Sequence, residues 1–240
     1  MTNSTDNTDQ WRRTSLPDEF FYVEQDNYDQ HAELAIPFYR EMHEALPSCA
    51  PRFGPLKILD LGSGTGKTSL VFLMRAELSG STVCAVDFFE TMHTHAKARL
   101  CSFGNRVKYV TGDFTEVSLG GNYDLCVSSL AIHHQDSEGK RFLFRRIFDA
   151  LRPGGRFLMI DWTKFKSPSM ERTSMDTAVR HVELANVPAE VVKRWIEHWR
   201  VKNRPDAVEE LCSWLTEAGF AHSECLIRHF GMALICAEKQ

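Results

Sequence analysis

The sequence predicts an α/β fold: a mostly parallel sheet with a C-terminal antiparallel hairpin and a helical cap. Three observations carry this. A short apolar run, Ile58-Leu59-Asp60-Leu61, leads through Gly62-Ser63-Gly64-Thr65-Gly66 into the helical pattern of Leu70, Val71, Leu73 and Met74, which reads as strand, tight turn and helix. Strand and helix patterns then alternate as far as Asp161. Two final apolar runs, 220–230 and 232–237, meet at Gly231, too close for a helical crossover and therefore antiparallel.

In chain order, residues 1–17 are rich in Thr, Asn, Asp and Ser and read as a disordered tail, and 18–240 as one domain. Within it, 18–55 is expected to form an N-terminal cap, broadly helical over 20–46 and interrupted at Pro37, followed by a connector with Pro47, Pro51 and Pro55. After the first strand and helix come a strand at 82–87, a helix at 90–100, strands at 107–111 and 123–129, a helix at 139–151 and a strand at 156–161. The stretch 164–204 interrupts the alternation and is expected to form a lid of two helices on either side of Pro188. A helix at 207–218 follows, with Leu211, Trp214, Leu215 and Ala218 on one face.

Composition narrows the function classes. Over 240 residues the chain is 43% hydrophobic and 25% charged, as expected of an ordinary globular domain. No apolar run reaches the roughly 18 residues of a bilayer span. Residues 1–10 lack the basic and apolar regions of a signal peptide, so a cytoplasmic address is expected. Seven cysteines, odd in number and without C-x-x-C spacing, argue against a disulfide framework or a zinc site, and most are expected to be buried thiols. His93 and His95, two apart on a helix, share no face, so no metal is expected. A net charge of −4 gives no overall attraction to phosphate backbones. The basic run of Lys193, Arg194, Arg200, Lys202 and Arg204 carries Trp195 and Trp199; it reads first as a solvated helix face with a Trp packing stripe, and second as a contact for RNA or an anionic substrate.

The glycine loop is neither of two familiar phosphate loops. Gly62 and Gly66 are separated by three residues, where a P-loop needs four, and the pattern is G-x-G-x-G, where the dinucleotide fingerprint needs G-x-G-x-x-G. The strand ends are more informative. Asp60, Asp87, Asp113, Ser128, Ser129 and Asp161 all fall at or just past the carboxyl ends of expected strands, the edge at which open α/β sheets bind ligands. Asp87 lies about 20 residues beyond the glycines, where an acid accepts from both hydroxyls of a ribose. Met92 is placed to lie on an adenine, and Asp113-Phe114 to read its amino edge and ring.

These pieces resemble the class I S-adenosylmethionine-dependent methyltransferases of the small-molecule type. The resemblance rests on 58–66, Ala85-Val86-Asp87-Phe88, Gly112-Asp113-Phe114, the run 123–134 and Leu151-Arg152-Pro153-Gly154-Gly155, in family order over about 56–161. It implies a Rossmann-like, seven-stranded sheet and S-adenosylmethionine as cofactor. Gly62, Gly64 and Gly66 would pass under the cofactor, Asp60 would help place its amino group, Asp87 would hold the ribose, Phe88 would belong to the cofactor site and Met92 would pack on adenine. Asp113 and Phe114 would bracket the base, Ser129 and Leu130 would face the methionine portion, and Tyr28 is similar to an N-terminal aromatic that closes over the cofactor. His133 and His134, after the fourth strand, are the candidate general bases.

The expected reaction is methyl transfer to oxygen or nitrogen of a small metabolite. Two alternatives stand beside it: attack at the methionine side chain, giving aminocarboxypropyl transfer or a cyclisation that releases methylthioadenosine, and methylation of tRNA.

Overall fold

The structure, a computed structural model, describes residues 28–185 and 188–240. The expected tail at 1–17 and the first part of the cap lie outside the described residues.

Seven strands form one sheet in the order β3-β2-β1-β4-β5-β7-β6. They are β1 (Lys57–Leu61), β2 (Thr82–Asp87), β3 (Val107–Thr111), β4 (Tyr123–Ser129), β5 (Leu151–Trp162), β6 (His222–His229) and β7 (Met232–Glu238). The first five pair in parallel, and β7 is antiparallel to both β5 and β6. The order reverses between β1 and β4, so the loops after these two strands diverge and open a crevice at the carboxyl edge.

Alternation within each strand fills a core on either face of the sheet. Leu59, Cys126 and Phe157 point to one layer with Phe144, Trp214 and Phe220. Their neighbours Ile58, Leu125 and Leu158 point to the other, with Met42, Phe72 and Leu100. The helices covering these layers include α1 (Tyr28–Ala35), α2 (Tyr39–Ala45), α3 (Lys67–Leu73), α4 (Glu90–Arg99), α5 (Ser137–Ala150) and α8 (Val208–Ala218). Among the described residues no helix is long and apolar enough to cross a membrane.

Several boundaries differ from expectation for identifiable reasons. Helix α5 begins at Ser137 because Asp136, one residue earlier, caps it by accepting the Gly139 N–H at 2.7 Å. Strand β5 begins at Leu151, paired with Tyr123 ahead of a register shift. Strand β6 begins at His222 because Phe220 is buried against Phe148 and Phe157. The cap breaks into two helices at Pro37, where Phe38 takes a left-handed φ of 59°. Of the cysteines only Cys126 is fully buried; Cys101, just past α4, is exposed and the others are half-buried.

The stretch 164–204 carries α6 (Pro168–Leu184) and α7 (Ala189–Lys202). Its two ends meet. Lys164 forms a parallel bridge with Ala207, and its N–H donates to the Asp206 carbonyl at 3.1 Å. The Asp206 carboxylate accepts from the buried Lys140 ammonium at 2.6 Å and from Ser137 Oγ at 3.1 Å, which ties this junction to α5.

Candidate active site

The glycine turn has two kinds of glycine. At Gly62 (φ 67°) a Cβ would lie 2.2 Å from the Ala131 Cβ, so absence of a side chain is needed to pack the loops after β1 and β4 together. At Gly64 (φ 51°) a Cβ would meet nothing within 4 Å, so that part of the backbone faces open space. Asp87, at the end of β2, closes the turn: its carboxylate accepts the Gly64 N–H at 2.7 Å and the Phe89 N–H at 2.9 Å. Burial raises its pKa, and these two N–H groups oppose the shift.

Asp60 is fully buried beneath the turn. Ser69 Oγ donates to its Oδ2 at 2.6 Å, while Oδ1 has no partner among the described residues. Burial pushes this carboxyl up to about 7, with the nearby Asp87 charge adding to the effect.

The other expected cofactor residues lie on the same side. Met92 is buried on the inner face of α4, and the Phe114 ring lies beside Gly62. Asp113 folds back on its own turn, accepting from the Thr115 N–H and hydroxyl at 2.7 Å each. Phe88 is half exposed and meets Phe89 edge to face. Ser129 bonds to the cap: the His43 Nδ1–H donates to the Tyr39 carbonyl at 2.7 Å, so His43 Nε2 accepts from Ser129 Oγ at 3.1 Å. Burial holds that imidazole down to about 4.

Helix α1 is fastened across the turn. Thr65 Oγ1 donates to Asp29 at 2.8 Å, Arg99 pairs with Asp29 and donates to the Thr65 carbonyl at 2.8 Å, and Lys67 pairs with Glu33 at 3.2 Å. Tyr28 heads this helix; burial, then the charges of Asp29 and Asp87, raise its phenol pKa.

Tyr28 also lines a cavity of about 110 Å³ between the sheet edge and helices α6 and α7. Leu130 enters the same cavity from a strained turn (φ 56°) whose N–H donates to the Ile160 carbonyl at 2.9 Å. His133 and His134, on the short 3₁₀ turn that follows, are both in its wall, their rings 4.0 Å apart. Asp161 at the end of β5 holds His133, accepting its backbone N–H at 2.9 Å and its ring Nδ1–H. His134 is held neutral: burial, then His133 and His198, push its pKa well below the ordinary value.

Sequence reading missed part of this wall. Trp195, Trp199, His198 and Asn203 come from α7 and the turn after it, and Trp162 from the end of β5. The tryptophans expected as a packing stripe thus face the cavity. A helical apolar face looks the same in sequence whether it meets a core or a pocket.

Comparison with known proteins agrees with this fold. Residues 58–155 match the family model described as a methyltransferase domain. These residues carry a methyltransferase domain, and the chain resembles the class I S-adenosylmethionine-dependent methyltransferases. This methyltransferase is 24% identical over 230 residues to a carboxy-S-adenosyl-L-methionine synthase of Aeromonas salmonicida, covering 92% of each chain. It is 29% identical over 143 residues to a ubiquinone/menaquinone biosynthesis C-methyltransferase of Roseobacter denitrificans, covering 58% of this chain and 55% of the relative. Its fold matches that of a putative S-adenosylmethionine-dependent methyltransferase from Methanococcus maripaludis, with a TM-score of 0.61 at 22% identity over 92% of this chain and 94% of the other.

The methyltransferase uses S-adenosylmethionine, and its residues fit that group. The open face of Gly64 and the buried Asp60 Oδ1 and Ser63 Oγ, both without a partner among the described residues, belong to one strand-and-turn segment where a polar ligand would supply the missing partners.

Proposed function

We propose that this methyltransferase moves the methyl group to an oxygen or nitrogen of a small metabolite held in the cavity. The observation that carries the reading is that His133, in the cavity wall with Leu130, is held from behind by the buried Asp161. With Nδ1–H donated to Asp161, the proton-accepting atom is Nε2, and the buried carboxylate stabilises the imidazolium formed when it takes a proton from a hydroxyl or ammonium. S-adenosylmethionine supplies an already electrophilic methyl on a sulfonium. The protein's part is to bring the acceptor into line in a dry site and remove its proton.

In this reading Gly62, Gly64 and Gly66 run beneath the cofactor, Asp60 faces its amino group and Asp87 its ribose, and Met92 and Phe114 hold the base with Asp113 at its edge. Leu130 and Ser129 border the methionine portion, and Phe88 rims the ribose side. Tyr28, between cavity and turn, screens the methyl group from water, and α6 and α7 form the lid. His134 is a wall residue and His133 the base. The cavity opens within the lid, which favours a small acceptor over tRNA.

A second reading has a specific support: the likeness to the carboxy-S-adenosyl-L-methionine synthase extends over 92% of both chains. An enzyme of that kind modifies the cofactor itself. Against it, a product bearing a new carboxylate would need a cation near the sulfonium, and the cavity lining among the described residues includes no Lys or Arg. Mass spectrometry of the nucleoside product separates these readings. S-adenosylhomocysteine formed only when an acceptor is present supports methyl transfer. A carboxylated S-adenosylmethionine or methylthioadenosine would replace it.

A further inference from the structure

Three polar atoms in residues of the cavity wall are buried without a hydrogen-bond partner among the described residues: Trp195 Nε1, Asn203 Oδ1 and His134 Nδ1. A buried polar atom left unpaired is costly, and three in residues that line one cavity point to a ligand whose polar edge completes them. Their chemistry is specific. The indole N–H can only donate and the amide oxygen accepts. The His134 ring is engaged by the Lys202 backbone and carries no charge at neutral pH, so its bare nitrogen accepts.

The rest of the wall says what kind of molecule carries the matching groups. Trp162, Trp195 and Trp199 supply flat surfaces, with the Trp162 and Trp199 rings 6.0 Å apart, and Leu130, Ile36 and Val179 supply carbon. No Asp, Glu, Lys or Arg lines the cavity among the described residues. Burial also pushes the His198 imidazole down to about 4, helped by His133 and Lys202. The buried charges behind the wall are already paired, the Asp161 carboxylate with His133 and the Lys140 ammonium with Asp206, and neither is presented to the cavity.

We infer that the methyl acceptor is an uncharged, planar aromatic molecule bearing a hydroxyl or N–H group, whose polar edge meets Trp195, Asn203 and His134. This rests on the reading of the cavity as the acceptor site. Ribose-rich, anionic and extended aliphatic acceptors lack either the flat face or the neutral polar edge that this wall requires.

Calorimetry of the full chain saturated with S-adenosylhomocysteine tests it, using four probes of one shape: 2-naphthol, naphthalene, 2-naphthoate and decahydro-2-naphthol. The expected result is that 2-naphthol binds roughly tenfold or more tightly than each of the others, and that Trp195→Phe, which keeps an aromatic though smaller ring and removes the N–H, lowers its affinity by about five- to tenfold with an unchanged melting temperature. Equal or tighter binding of 2-naphthoate or decahydro-2-naphthol, or no loss in Trp195→Phe, would overturn the inference. Product analysis reports separately on methyl transfer. Selective 2-naphthol binding in an enzyme whose only product is a modified S-adenosylmethionine would uphold the aromatic site and sink the methyl-transfer reading. S-adenosylhomocysteine formation on a sugar, without 2-naphthol binding, would do the reverse.

Discussion

Asp161 accepts two hydrogen bonds from a single residue, His133: one from its backbone N–H and one from its ring Nδ1–H. The first fixes the turn and the second fixes the tautomer, so backbone and imidazole are oriented by one carboxylate at the end of β5. His133→Asn should lower kcat by about 10²–10⁴-fold, the range for loss of a general base, while leaving S-adenosylhomocysteine affinity and melting temperature close to wild type. His134→Asn should cost far less turnover. Steady-state kinetics alongside calorimetry would reveal the opposite order if the roles are reversed.

Asp87 already spends hydrogen bonds on the Gly64 and Phe89 N–H groups, and the reading above gives it a ribose as well. Asp87→Ala should weaken S-adenosylhomocysteine binding by about 1–3 kcal/mol. Unchanged affinity by calorimetry would count against the ribose assignment.

Gly62 and Gly64 should fail in different ways. In Gly62→Ala the new methyl meets the Ala131 side chain, so the protein should lose about 1–3 kcal/mol of stability by overpacking, read as a lower denaturation midpoint. In Gly64→Ala the methyl enters open space, and apart from the modest strain of a left-handed alanine the fold should hold while cofactor affinity falls. Equal destabilisation of both variants would mean that Gly64 is structural.

Acid should loosen the cap. The His43 imidazole sits at about 4 in the folded protein against an ordinary value of 6.5, because it is buried. The unfolded chain therefore takes up this proton first: stability present above pH 6.5 is lost as the pH falls toward 4. Asp60 works in the opposite sense, since its raised value makes its contribution fade as the pH rises through about 7. Denaturant midpoints measured from pH 4 to 7 should show a shallower acid-side loss in His43→Gln than in wild type. An identical slope would place His43 outside the cooperative core.

Much of this molecule was legible before any coordinates. The strands declared themselves through apolar runs that end in acids, and the glycine turn through residues that only a tight approach requires. Asp60, Asp87 and the histidine pair were singled out because strand ends are short-range features of sequence. The partner of His133 was visible only as another strand-end acid, since 28 residues separate the two and pairing across β4 and β5 is a tertiary fact. The bond between His43 and Ser129 spans 86 residues and left no local signal. Trp195 and Trp199 were seen, but helical spacing identifies a face without saying what it meets.

The meeting of Lys164 with Asp206 and Ala207 has an evolutionary consequence. Because the excursion through α6 and α7 leaves and rejoins the body at one pinned junction, it can be exchanged as a cassette: a different helical pair spliced between residues 164 and 207 would alter the cavity wall contributed by Trp195, His198 and Trp199 while every strand, the glycine turn and the His133–Asp161 pair stayed in place. New acceptor preferences would then arise by replacing one loop's worth of chain, without reinventing the catalyst beneath it.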